Sequence, residues 1–154
     1  IPLVIFGADC VPVFLLDKKN KAIGVAHCGW MGTGKRMAEK ILQEMIREFG
    51  TDPADVTAAI GPSIGKCCFQ MDEPVLNLFK ENIEWTEDIV EPDPSQEGKY
   101  KMDLWETNRR LLAEMGVKDI ELSGLCTKCD QVRFYSHRGM GEKRGVMAGI
   151  MELI

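Results

Sequence analysis

Apolar and polar positions fall into blocks whose period changes along the chain. Runs rich in Val, Ile and Phe at 2–6 and 11–16, the second closed by the polar turn Asp17-Lys18-Lys19-Asn20, and a third run at 22–27 predict three strands in short succession. The period then becomes helical. Met37, Ile41, Leu42, Met45, Ile46 and Phe49 share one face and Arg36, Lys40, Glu44 and Arg47 fill the other, so 33–49 reads as an amphipathic helix closed by Gly50. Residues 56–60 form a short strand that enters the turn cluster Gly61-Pro62-Ser63-Ile64-Gly65, after which Asp72 is placed to cap a helix carrying Val75, Leu78 and Phe79. Residues 91–98, with Pro92, Pro94, Ser95 and Gly98, have no period and predict an exposed loop. Asp103 and Glu106 make a capping-box pattern ahead of Leu104, Leu111, Leu112 and Met115, and Gly116 supplies the stop. Residues 120–122, 132–136 and 146–150 read as closing strands. This order, without an internal repeat or a dividing linker, predicts one α/β domain over 1–154.

Composition narrows the function classes. With 45% hydrophobic and 28% charged residues, 154 residues are enough for a packed core, which excludes disorder and coiled coil. The formal net charge of -5 offers no overall basic field to nucleic acid or to an anionic membrane, so no nucleic-acid partner is expected. Residues 1–16, interrupted by Asp9, are too short to span a bilayer. The six cysteines stand as Cys10, Cys28, the adjacent Cys67-Cys68, and the close pair Cys126 and Cys129. With no signal peptide ahead of them, they are expected as reduced thiols of a cytoplasmic protein. The opening run Ile1-Pro2-Leu3-Val4-Ile5-Phe6 lacks an initiator Met and has the character of a central strand, which predicts a piece of a longer protein.

Chemistry has few places to stand, because the only histidines are His27 and His137. His27 ends a predicted strand and opens a Gly-rich turn, and Cys10 ends the first strand, so both project where α/β sheets bind ligands. If the two strands are neighbours, thiol and imidazole meet as a soft zinc or copper site or as a nucleophile with its base; the plainer alternative is a buried thiol and a hydrogen-bonded imidazole without chemistry. Gly29-x-x-x-x-Gly34-Lys35 approaches a P-loop, but Arg36 replaces the hydroxyl that would ligate magnesium. What survives is an anion-binding expectation for the helix start with Lys35 and Arg36, against a tight turn carrying two solvated cations. Cys126-Thr127-Lys128-Cys129 has half of a zinc signature with no second pair after it, and adjacent strand residues Cys67-Cys68 would face opposite ways, so a loop is expected there rather than a zinc ribbon. Ser136-His137-Arg138 could form a polar wall of a pocket, and Trp30, Trp85 and Trp105 are expected as core or cleft walls.

Five motifs, in order, carry a family resemblance: Ala8-Asp9-Cys10-Val11-Pro12; His27-Cys28-Gly29-Trp30; Gly61-Pro62-Ser63-Ile64-Gly65-Lys66-Cys67-Cys68-Phe69; Asp103-Leu104-Trp105-x-x-Asn108; and Cys126-Thr127 with Phe134-Tyr135-Ser136-His137-Arg138. The chain resembles the YfiH-like family, also called multicopper polyphenol oxidoreductase or laccase-domain proteins, in the part that follows the family's N-terminal segment. The resemblance implies mixed β-sheets flanked by helices, similar to the catalytic domain of cytotoxic necrotizing factor toxins. It also implies a zinc or copper ion held by Cys10, His27 and a third histidine upstream of Ile1. The family commonly carries Arg where Met31, Gly139 and Val146 stand here, and lost cations weaken phosphate binding.

The function implied is a metal-dependent purine nucleoside enzyme, performing phosphorolysis of adenosine, inosine or methylthioadenosine and deamination of adenosine. Cys10 and His27 are its expected catalytic and metal-binding residues, the ion activating water for attack at C6 of adenosine. Lys35 and Arg138 are the expected phosphate-binding residues. Three rivals remain. One is a cysteine hydrolase or amidase with Cys10 as nucleophile and His27 as base, peptidoglycan editing included. Another is a copper polyphenol oxidase, or laccase, whose multicopper site needs more histidines than the two present. The last is a binding domain without catalysis.

Overall fold

The computed structural model describes residues 1–154. Strands β1 (Leu3–Gly7), β2 (Val11–Asp17) and β3 (Ala22–Cys28) lead into a short helix α1 (Trp30–Gly34) and the long helix α2 (Met37–Phe49). Then come β4 (Val56–Ile60), β5 (Gln70–Asp72), α3 (Glu73–Asn82), β6 (Val90–Pro92), β7 (Lys99–Met102), α4 (Leu104–Glu114), β8 (Asp119–Leu122), α5 (His137–Met140) and β9 (Met147–Met151). No helix is long and apolar enough to cross a membrane.

The central sheet has the order β3-β2-β4-β8, antiparallel except where β8 runs parallel to β4. Alternation along β2 and β4 buries Val11, Val13, Leu15, Val56, Ala58 and Ile60 on one face. That face packs against the apolar stripe of α2, Ala38, Leu42 and Met45, and against α4, all within or beside one cluster of buried residues. Each fully buried Leu or Phe there, Leu42 and Phe79 among them, contributes roughly 1.5–3 kcal/mol relative to exposure. Helices on the sheet thus follow the expected mixed α/β class. Two smaller antiparallel sheets complete the fold: β5-β7-β6, and β1 paired with β9, which joins the two ends of the chain. The β1–β9 ribbon lies against the other face of the central sheet, Phe14 meeting it at Gly149.

The structure departs from the sequence reading in several places. Helix 33–49 is broken: Arg36, at φ 60° and ψ 40°, separates α1 from α2. Gly34 explains why, since a Cβ there would sit 3.0 Å from Leu78 Cδ2; α1 must press its glycine against α3, while α2 turns to lie on the sheet. Residues 132–136 form no strand but a turn, with Asp130 accepting the Arg133 N–H and the Phe134 N–H reaching the Asp130 carbonyl. The loop at 91–98 opens as strand β6, and its Asp93 is buried, accepting from Gln70 Nε2 and from both the N–H and the hydroxyl of Ser95. Asp72 precedes α3 as expected, yet its carboxylate takes Lys99 Nζ at 2.6 Å instead of capping the helix. Asp103, by contrast, caps α4 through the Glu106 N–H.

Candidate functional site

The site begins at the turn between β1 and β2. Asp9 there holds φ at 87°, a strained value for a residue with a Cβ, and three hydrogen bonds hold it in place. Its buried carboxylate accepts from Thr127 Oγ1 at 2.6 Å and from the Arg138 N–H at 2.7 Å, and its carbonyl accepts from the Ile64 N–H at 2.9 Å. The turn aims Cys10 at the end of β3. There Cys28 points into the core, and the strand's alternation sends its neighbour His27 the opposite way, exposed. Thiol and imidazole converge beside Gly29: a Cβ at that position would lie 2.9 Å from Cys10 Sγ and 3.7 Å from His27 Nε2. Cys10 and His27 therefore flank the same glycine at the end of β3. Burial, then the neighbouring Asp9 charge, pushes the Cys10 thiol up, with Arg144 opposing; burial pushes Cys28 up to about 12. A thiol sulfur and an imidazole nitrogen are donor types that suit zinc or copper.

Cys10 stands in the wall between two cavities. One, of about 170 Å³, is lined by His27 and by apolar groups including Phe6, Phe14, Phe134 and Met147. The other, of about 370 Å³, is lined by Asp9, Trp30, Phe69, His137, Arg138 and Arg144 among others. This second cavity combines two aromatic faces with two guanidinium groups and an imidazole, a lining that suits a ligand with both a flat ring and an anionic group. Arg138 is held by its neighbours: Nη1 donates to the Gln70 carbonyl at 2.9 Å, and the guanidinium carbon lies 5.4 Å from the Phe69 ring centre. Arg144 keeps a buried Nε with no protein partner. The sequence offers little sign of it, since Gly141-Glu142-Lys143-Arg144 reads as a solvated turn.

Lys35 is not brought to either cavity. It is exposed at the C-terminal end of α1, because the helix opens at Trp30 rather than at Thr33 and the Trp30–Gly34 stretch is itself helical. Arg36 is engaged by Glu39 at 2.6 Å and by the Asn82 carbonyl at 3.1 Å. The anion-binding helix start expected from these two cations is not assembled. The motif residues Trp105 and Asn108 instead hold the walls: Trp105 Nε1 donates to Ser63 Oγ at 2.7 Å, and Asn108 Nδ2 donates to Thr33 Oγ1 at 3.0 Å, tying α4 to α1.

A second constellation lies behind the Asp9 turn. Cys67 and Cys68 sit in a turn and not in a strand, so the alternation that would separate them does not apply. Both sulfurs approach Cys129, at 3.6 and 3.5 Å, and with Cys126 the four sulfurs lie within 4.8 Å of one another. Residues 126–129 form the expected loop, but that loop packs its two sulfurs against Cys67 and Cys68. The second pair that a metal site needs precedes Cys126-x-x-Cys129 by some sixty residues. Burial alone would raise the Cys126 thiol, but the N–H groups of Gly65 and Cys129 bring it down to about 7; Cys68 is pushed up to about 11, first by burial.

Comparison with known proteins agrees with this architecture. The purine nucleoside phosphorylase of Bacteroides thetaiotaomicron is 40% identical over 152 residues, covering 97% of this chain and 56% of that protein. An adenosine deaminase named RL5, from an unidentified prokaryote, is 37% identical over 140 residues, covering 90% of this chain and 53% of its own length. The crystal structure of the hypothetical protein YfiH from Bacillus licheniformis superposes with a TM-score of 0.87 at 38% identity, covering 97% of this chain and 57% of that one. The chain thus spans about half the length of the relatives it matches. The family described as multi-copper polyphenol oxidoreductase laccase matches residues 1–154, and the chain belongs to it.

Proposed function

We propose that this chain carries the thiol, imidazole and anion-binding half of a metal-dependent purine nucleoside enzyme. The single observation that carries the reading is the convergence of Cys10 Sγ and His27 Nε2 beside Gly29, next to a cavity that Arg138 and Arg144 line. Cys10, His27 and a third histidine from outside these residues would hold zinc or copper, which supplies Lewis acidity at that point. The chain's own residues do the rest. Trp30 and Phe69 receive the flat purine in the second cavity, and the apolar walls exclude water from the glycosidic bond. Arg138 and Arg144 bind phosphate and set it against the ribose carbon, so that base departs as phosphate bonds in phosphorolysis. Asp9 orients both halves, since the turn it holds presents Cys10 while its carboxylate fixes the backbone of Arg138. Lys35 takes no part in this scheme. The names of the relatives, phosphorylase and deaminase, support the same substrate class.

The test is to incubate the protein that carries this chain with adenosine or inosine, with and without phosphate, and to separate the products. Free base with ribose 1-phosphate, or inosine from adenosine, is expected, and Cys10→Ala and His27→Ala should each abolish it. A protein that yields neither product from any purine nucleoside rejects the reading. The juxtaposed thiol and imidazole also favour a second reading, a cysteine amidase. Chelation separates the two: the amidase keeps its activity when metal is stripped, and the nucleoside enzyme loses it.

A further inference from the structure

The four-cysteine cluster is independent of the cavity chemistry and is reached from two separate turns. Cys67 and Cys68 come from the turn after β4, and Cys126 and Cys129 from the turn after β8. Backbone bonds already dock the two turns: the Ser63 N–H donates to the Leu125 carbonyl at 3.2 Å and the Thr127 N–H to the Ser63 carbonyl at 3.0 Å. A tetrahedral ion with Zn–S bonds of about 2.3 Å sets its sulfurs about 3.8 Å apart. Here two of the sulfur pairs stand at 3.5 and 3.6 Å, and all four atoms fit within 4.8 Å. A disulfide needs about 2.05 Å, so the four are separate thiols gathered at the spacing of a metal shell. The Gly65 N–H donates to Cys126 Sγ at 3.3 Å, the outer-shell bond that stabilises a metal-bound thiolate. Gly65 is needed for that approach, because a Cβ there would meet Trp105 Cη2 at 3.0 Å and Cys126 Cβ at 3.4 Å.

We propose that Cys67, Cys68, Cys126 and Cys129 form a structural, all-thiolate zinc site that clamps the two turns behind the candidate functional site. Binding makes four Zn–S bonds and releases to solvent the protons the thiols carry; nothing is oxidised or reduced. Four protein sulfurs close the coordination shell and leave no position for substrate, which makes the site structural. The clamp joins positions 62 apart, and because the site exists only in the folded chain, its binding free energy adds to folding stability. It also reaches the cavity. Thr127, inside the Cys126–Cys129 turn, donates to Asp9, and Phe69, next to Cys68, carries the ring under Arg138.

The experiment uses the reduced chain carrying Cys10→Ser and His27→Ala, which removes the other donor pair. It is loaded with zinc sulfate, desalted, and read by elemental analysis and zinc X-ray absorption. One ion per chain with four sulfur neighbours is expected, and chelation should then expose four more thiols to a thiol reagent. Cobalt in place of zinc should give thiolate charge-transfer and tetrahedral ligand-field bands. Adding Cys67→Ser or Cys129→Ser should weaken retention more than about tenfold, while circular dichroism shows that each variant still folds. A chain that retains no ion once the Cys10 and His27 donors are gone overturns the proposal. So does a first shell of nitrogen or oxygen, or a mass two units low from a Cys129 disulfide.

Discussion

The carboxylate of Asp9 accepts the backbone N–H of Arg138 at 2.7 Å, across a separation of 129 residues. One buried side chain thereby sets the direction of the Cys10 thiol and the place of the cation on the far side of the larger cavity. Its other oxygen, bonded to Thr127, extends the same fixation to the turn that carries Cys126 and Cys129.

Replacing Asp9 by Asn keeps the shape but turns one acceptor into an NH2 group facing an N–H or hydroxyl donor. Loss of a charge-assisted bond at a buried site costs about 1.5–3 kcal/mol. Asp9→Asn should therefore unfold at lower urea, with an unchanged m-value, and should lose nucleoside turnover more than Thr127→Val, which breaks only one of the two bonds. An Asp9→Asn protein with the urea midpoint and turnover of the parent would show that the turn holds itself without the carboxylate.

Gly29 separates fold from site. Its backbone, at φ -60° and ψ 174°, is open to any residue, so Gly29→Ala brings no backbone strain. The new methyl lands 2.9 Å from Cys10 Sγ and close to His27 Nε2. The expected result is a change in stability of at most about 1–3 kcal/mol, the usual range for one inserted methyl, together with loss of activity and of the ion at Cys10 and His27, while the four-cysteine site keeps its own. Thermal melting and metal content of the same sample check both halves.

Much of this was legible in the one-dimensional pattern, and the failures share a cause. The stripes of α2 and α4, the Asp103 cap and the hairpin that puts β2 beside β3 are local, the last closed by Asn20 donating to Asp17. That hairpin pairs Val11 with Cys28 and so sets the turn holding Cys10 beside the end of β3, whereas the strand pattern puts Cys10 at the end of the first strand and leaves its approach to His27 conditional. The break at Arg36 could not be read, since it depends on Gly34 pressing against Leu78. Nor could the gathering of Cys67 and Cys68 with Cys126 and Cys129, because turns, unlike strands and helices, impose no period from which side-chain direction can be inferred. Arg144 was hidden for the same reason.

Acid should loosen the outer sheet first. Asp93 is held at about 2, first by the Gln70 amide and then by Ser95, and Glu106 at about 2, first by Arg109 and then, against burial, by Arg110. Unfolded carboxylates titrate near about 3.9 for Asp and 4.3 for Glu. Both groups are therefore fully stabilising above about pH 5, and that stabilisation is lost as pH falls through 4 toward 2. The Glu106 pairs are partly open to solvent and their share is screened by salt. Melting temperature should stay level from pH 7 to 5 and fall below 4. Asp93→Asn should flatten that fall while lowering the plateau; a slope unchanged by the substitution would remove Asp93 from the account.

Arg144 is the sharpest probe of anion binding, because its buried Nε has no partner to lose. Arg138 is different: removing it also frees the Gln70 carbonyl and uncovers Phe69, so its loss mixes structure with binding. A guanidinium–phosphate bond contributes about 1.5–3 kcal/mol, equivalent to roughly 10- to 150-fold in affinity. Arg144→Ala should raise KM for phosphate by at least about tenfold and leave the melting temperature within a few degrees. Arg144→Lys should recover only part of the loss, since a single ammonium cannot reproduce the two-pronged contact. Deamination of adenosine, which uses no phosphate, serves as the internal control. If Arg144→Ala lowers both activities equally, the side chain supports the cavity wall instead of holding the anion.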